Sequence, residues 1–147
     1  MDVKKYFTGV FVLDNKINKL WEKIEILKAA QASGGGFGRD MGGIQKSRNY
    51  RRQEDISVSI LELEGELAKT KISLLCLEKE IRAASRGLQS PMARAVITWR
   101  YICRLKWKDI AARAEMSEMQ VIREHNAAMM QMKHIICNST LTNSVAI

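Results

Sequence analysis

Two long stripes of apolar residues at helical spacing set most of what this chain can fold into. In the first, Val3, Phe7, Val10, Leu13, Ile17, Leu20, Ile24 and Leu27 recur every three or four residues, with Tyr6 and Trp21 widening the band. In the second, Ile56, Ile60, Leu63, Leu67, Thr70, Leu74, Leu77 and Ile81 alternate steps of four and three, broken in polarity only by Thr70. The spacing predicts helices over residues 2–32 and 52–86. The first would be about 45 Å long, too long for a small globule and suited to a coiled coil. Gly9 weakens it by about 1 kcal/mol relative to alanine without breaking it. The near-equal lengths make an antiparallel pair within one chain the economical arrangement. Pairing between chains is the rival, with Thr70 a seam position able to help fix register or stoichiometry. Cys76 is expected to pack beside that seam.

Residues 33–50, SGGGFGRDMGGIQKSRNY, hold six of the nine glycines and read as a linker longer than a tight helical hairpin needs. A phosphate-binding loop does not fit, because Gln45 stands where glycine should precede Lys46-Ser47 and no strand leads in. Arg39, Lys46, Arg48, Arg51 and Arg52 form a basic run able to touch phosphates as an arm, although such runs are more often simply solvated.

The lone proline divides scaffold from module. Gly87 stops the second helix, and Ser90-Pro91 restarts the chain with an N-cap and a proline at the first helical turn. Residues 92–105 are expected as a helix packing through Ala95, Val96, Trp99 and Ile102 or Cys103. Then come two helical patterns, 107–114 (WKDIAARA) and 117–132 (SEMQVIREHNAAMMQM), separated only by Glu115 and Met116. Ser117 with Gln120 three residues on is a capping-box signature. Two helices joined by so tight a turn cross steeply, the geometry that lays a second helix into the DNA major groove.

Ala111 and Ala114 lack bulk and let the two helices approach. Advancing about 100° per residue from Val121 puts His125, Ala128 and Met132 on the core side. Met119, Arg123, Asn126 and Met130 then face outward, with Gln120 and Ile122 on the flanks. Arg123 has the fork to pair with guanine, and Asn126 or Gln120 the amide to pair with adenine. Met119 and Ile122 offer apolar contact, for instance to a thymine methyl. Lys106, Lys108, Arg113 and Lys133 are the candidate phosphate contacts, with Ser117 at the start of the reading helix.

The run Arg100-Tyr101-Ile102-Cys103, then Trp107-x-x-Ile110-Ala111, then Ser117-x-x-x-Val121-x-Arg123-x-His125-x-x-Ala128-Met129 resembles the region-four helix-turn-helix of bacterial RNA polymerase sigma factors. It is similar in particular to a family of small phage and prophage proteins that carry this module after a long helical N-terminal region, and Tyr6, Leu13 and Ile17 share in the likeness. The resemblance implies transcription regulation through promoter DNA, RNA polymerase or both. One departure is Glu115, at a turn position commonly held by glycine. A side chain there costs up to about 1 kcal/mol at positive φ, so a differently built turn is expected.

Charge agrees with a polyanionic partner without demanding one. The chain carries 24 Lys and Arg against 16 Asp and Glu, a net +8. Residues 53–86 hold five basic and seven acidic side chains, whereas residues 87–137 hold eight basic and four acidic, so the excess falls on the module. Cys76, Cys103 and Cys137 are odd in number and irregularly spaced, as reduced thiols in a cytoplasmic protein of a bacterial host cell would be. The short apolar run after Lys4-Lys5 ends at Asp14 and lacks a cleavage site, and no segment is apolar enough to span a membrane. His125, His134, Cys103 and Cys137 match no metal-ligand spacing. No paired carboxylates or nucleophile-base pair stand out, which argues against an enzyme or a cofactor. Trp107, Met129 and Met132 are expected in the core.

The sequence therefore predicts an all-α protein: a long antiparallel helical hairpin over 1–88, with its linker at 33–50, a three-helix helix-turn-helix module over 89–137, and a disordered tail over 138–147. The functional expectation is a DNA-binding transcription regulator with modest affinity per module, helped by homo-oligomerisation through the coiled coil or by RNA polymerase. Two alternatives are a small-terminase-like phage DNA-packaging subunit, and an adaptor that binds RNA polymerase without touching DNA.

Overall fold

The computed structural model describes residues 3–34 and 42–145, with side chains described over 3–33 and 48–138. The fold is all-α, and no strand occurs among the described residues. Helix α1 spans Val3–Gly34, α2 Gly42–Ser85, α3 Pro91–Ile97, α4 Trp107–Ala114 and α5 Glu118–Val145, with a π-helical turn, Thr98–Ile102, continuing α3. The chain forms two compact units, one of Leu13–Ser73 and one of Met1–Val12 with Leu74–Ile147.

The Leu13–Ser73 unit is an antiparallel helical hairpin. Gln31 Nε2 donates to Ser57 Oγ at 2.8 Å, the Lys28 ammonium lies 3.6 Å from Glu64, and Lys71 sits 5.1 Å from the Trp21 ring centre. As the position on α1 falls from 31 to 21, its partner on α2 rises from 57 to 71, which fixes the direction. Ile17, Leu20 and Ile24 are buried on α1, and Ile60, Leu67 and Thr70 on α2. Thr70 resolves its polarity locally, donating its hydroxyl to the Glu66 carbonyl at 2.8 Å.

Two expectations change in the long helices. The stretch read as linker is helical at both ends, since α1 runs to Gly34 and α2 starts at Gly42, upstream of Arg52. Once a helix is nucleated, terminal glycines cost only about 1 kcal/mol each and do not stop propagation through the breaker-free residues that follow. Residues 35–41, including Arg39, lie outside the described residues; Arg48, Arg51 and Arg52 are exposed on α2. Cys76 is exposed, not packed beside the seam.

The other unit joins the ends of the long helices to the module, so its boundary falls inside α1 and α2. Val3, Phe7 and Val10 are buried here, as are Leu74, Ile81 and Ser85. Gly9 has a positive use: a Cβ there would stand 3.4 Å from Leu77 Cδ2, so the two helices meet closely at this point. After α2, Ser90 accepts from the Ala93 N–H at 3.3 Å and caps α3, with Pro91 in the first turn. Val96, Ile110, Ala111 and Val121 form the module's core, lined by Met92, Trp99, Leu105, Trp107, Ala114 and Met116.

The helix expected over 92–105 is interrupted. The Cys103 N–H bonds the Thr98 carbonyl at 3.1 Å, five residues back, and Arg104 then turns the chain at φ 56°. A π turn lags an α-helix by roughly a quarter turn over five residues. Cys103 is thereby carried off the packing face to an exposed position, and Tyr101 stays in line with buried Ile97. Arg104 closes the turn with a 2.6 Å ion pair to Glu78 of α2. At the far end α5 continues through Val145, where a disordered tail was expected from residue 138. No glycine or proline follows Pro91, and Ser, Thr and Asn are weak helix formers but not breakers.

The α4–α5 turn is built on the strained residue itself. Glu115 adopts φ 54° and ψ 39°, the left-handed conformation, and its N–H bonds the Ala111 carbonyl. The Met116 N–H also reaches Ala111 O at 3.1 Å, so the helix end is satisfied in the way glycine-terminated helices are. The Glu115→Gly variant should therefore raise stability by up to about 1 kcal/mol, read as a higher denaturant midpoint with an unchanged slope. A lower midpoint would show that the glutamate is not strained there.

Candidate nucleic-acid interface

Helix α5 opens on a capping box and has two distinct sides. The Gln120 N–H donates to Ser117 Oγ at 3.2 Å, and the Ser117 N–H donates to Gln120 Oε1 at 3.1 Å, the reciprocal capping box that the sequence predicts. From there Val121, His125, Ala128 and Met132 point inward, each at most 5% exposed. The opposite side is open: Met119 is 68% exposed, Ile122 36% and Met130 70%. Ser117, Gln120, Arg123 and Asn126 are exposed as well. Lys106 and Lys108 are exposed at the start of α4, Arg113 in its last turn, and Lys133 further along α5. Ten residues separate Lys133 from Arg123, about 15 Å of helix.

The packing also shows what some side chains have left to give. Gln120 uses one lone pair of its carbonyl oxygen on the cap and keeps its NH₂ and a second lone pair. Asn126 Oδ1 lies 3.3 Å from His125 Nδ1, and Tyr101 Oη lies 2.7 Å from His125 Nε2. Both contacts are satisfied by a neutral imidazole that donates from Nδ1 to Asn126 and accepts the tyrosine O–H at Nε2. Asn126 keeps its NH₂ and a second lone pair outward. Trp107 meets the His125 ring edge-on at 4.8 Å between centroids, and Phe7 lies 5.0 Å from Tyr101. His125 is thus a packed, hydrogen-bonded core residue on the inner side of α5.

Arg100 was not assigned a role from the sequence. Its guanidinium lies between the rings of Phe11 (4.8 Å) and Trp107 (4.4 Å) and donates to the Leu105 carbonyl at 2.9 Å. It ties α1 to the start of α4. Lys4 lines a cleft with Arg100, Ile122 and Asn126, bringing a positive charge from α1 beside the outward face of α5. Only the fold could reveal this, because Lys4 and Asn126 are distant in sequence. Of the two methionines expected inside, Met132 is fully buried, and Met129 is half-buried on a second cleft with Val3 and Lys133.

Among the described residues no three His, Cys, Asp or Glu side chains are grouped to hold a metal ion, and no helix is long and apolar enough to cross a membrane. None of the protein-family models, curated proteins or solved structures compared with the chain matches it.

Burial pushes the His125 pKa below its ordinary 6.5; the Asn126 hydrogen bond opposes this, and Arg100 and Lys4 add to it. Burial likewise raises Tyr101 to about 12, so it remains a donor. For His125 the unfolded state binds the proton more readily than the folded state. Stability is accordingly full above pH 6.5 and declines as pH falls through the lower folded value. Chemical denaturation across this window should show an acid loss that His125→Gln abolishes; an identical slope in the variant would assign the loss elsewhere.

Proposed function

We propose that this protein binds double-stranded DNA through the outward face of α5 and acts as a transcription regulator. The observation that carries the reading is the exposure of Arg123 and Asn126 on the second helix of a tightly turned helix pair whose other face is sealed. In this reading Arg123 supplies bidentate recognition of guanine and Asn126 reads adenine with the groups His125 leaves available. Gln120 contributes the amide groups that its cap leaves available, and Met119 and Ile122 supply apolar contact. Lys106, Lys108 and Arg113 approach the phosphates beside the groove, with Lys133 reaching backbone further along. The resemblance to the sigma region-four module supports the same use of the helix pair, and implies RNA polymerase as a second partner and a phage or prophage setting.

Acidic side chains temper the affinity. Glu115, Glu118 and Glu124 all lie on or beside the reading helix, so one module should bind weakly at physiological salt. The experiment is a DNA-binding titration on specific and random duplexes over several salt concentrations. Arg123→Ala should cost about 1–3 kcal/mol on the preferred sequence and relax discrimination there. Lys108→Ala should weaken all sequences alike and reduce the salt slope by about one. An unchanged sequence preference in Arg123→Ala removes the base-reading role, and copurification with polymerase without salt-sensitive DNA binding favours the adaptor reading.

A further inference from the structure

Helix α2 carries a second apolar stripe that the hairpin does not use. Val58, Leu61, Gly65, Ala68, Ile72 and Leu75 follow alternating steps of three and four. At helical spacing this line lies nearly opposite the Ile60, Leu67, Leu74 line that is buried. Its large members face solvent: Val58 is 49% exposed, Leu61 68%, Ile72 62% and Leu75 64%. Isolated exposed leucines need no explanation, but four large apolar residues in one seam do. Gly65 adds a second observation. A Cβ at this position would meet nothing within 4 Å, so no internal contact requires glycine, although glycine inside a helix costs about 1 kcal/mol. A small pair, Gly65 and Ala68, at the middle of an apolar seam suits close approach by another backbone.

We infer that the occupant is a second copy of this chain, its α2 lying antiparallel against this stripe. The charges beside the stripe choose both the partner and the direction. Glu62 and Glu64 flank its first half, Lys69 and Lys71 its second half. A twofold axis between Gly65 and Ala68 sets Val58 against the partner's Leu75, Leu61 against the partner's Ile72, and Gly65 against the partner's Ala68. The same operation places Glu62 beside the partner's Lys69 on one flank, and Glu64 beside the partner's Lys71 on the other. Each pair occurs twice by symmetry. A parallel copy in register keeps only the Glu64–Lys69 pairing across the seam, and stacks Gly65 on itself and Ala68 on itself. The self-complementary pattern favours the antiparallel dimer. This inference stands on α2 alone and does not depend on the DNA-binding reading.

The test uses the full chain in sedimentation equilibrium over a broad dilution series. The expected mass at high concentration is twice the 16.7 kDa of one chain. Leu61→Glu with Ile72→Glu should give a monomer with unchanged helical circular dichroism, because both side chains are exposed in the single chain. Glu62→Lys alone and Lys69→Glu alone should each weaken the dimer roughly tenfold, and an equimolar mixture of the two should recover it, since every flanking pair is then of opposite sign. A monomer at all concentrations overturns the inference, as does a dimer that survives the Leu61/Ile72 double substitution. A Glu62→Lys dimer as tight as the parent overturns the antiparallel register.

Discussion

The close approach of α4 to α5 is the contact on which the rest of the C-terminal unit depends. It is made by Ile110 and Ala111 on one side and Val121 on the other, with Val96 of α3 completing the cluster. Ala111 is buried in this contact, and the two-residue turn ties the two helices closely together. The left-handed Glu115 is the conformational cost of that shortness. Burying the inner side of α5 this firmly is also what leaves its other side to solvent. The openness of Arg123 and Asn126 is therefore a product of the packing behind them.

The aromatic group around Tyr101 does for position what the aliphatic cluster does for angle. Phe7 and Phe11 come from α1, Tyr101 from the π turn, Trp107 from α4 and His125 from α5, so four segments of the chain meet in one small volume. The polar groups within it are internally matched, and no buried side-chain nitrogen or oxygen among the described residues lacks a partner. Matching of that kind specifies one arrangement more sharply than apolar contact alone. It is also why the first turns of α1 belong with the module: Phe7 is fully buried against it.

Much of this was legible in the sequence because helical periodicity is a local signal. The inner face of α5 follows from counting 100° steps from Val121, the capping box from Ser117 and Gln120, and the start of α3 from Ser90-Pro91. What could not be read there depended on long-range or cooperative effects. The exposure of Cys103 departs from a regular helical count because five residues adopt a wider turn. The placement of Arg100 between two rings requires Phe11, far away in the chain. The helical ends of the stretch read as linker, and the continuation of α5 past Asn138, reflect propagation from well-formed helices into sequence that would not nucleate one.

The π turn at Thr98–Ile102 sets a condition on how this chain can vary in length. It behaves as a helix with one residue too many. Excising a single residue there would restore regular hydrogen bonding and appear locally harmless, yet it would swing everything downstream by about 100°. Tyr101 would leave its place beside His125, and Arg104 would lose Glu78. Variants of this chain that keep this arrangement should therefore keep the spacing from Pro91 to Trp107 fixed.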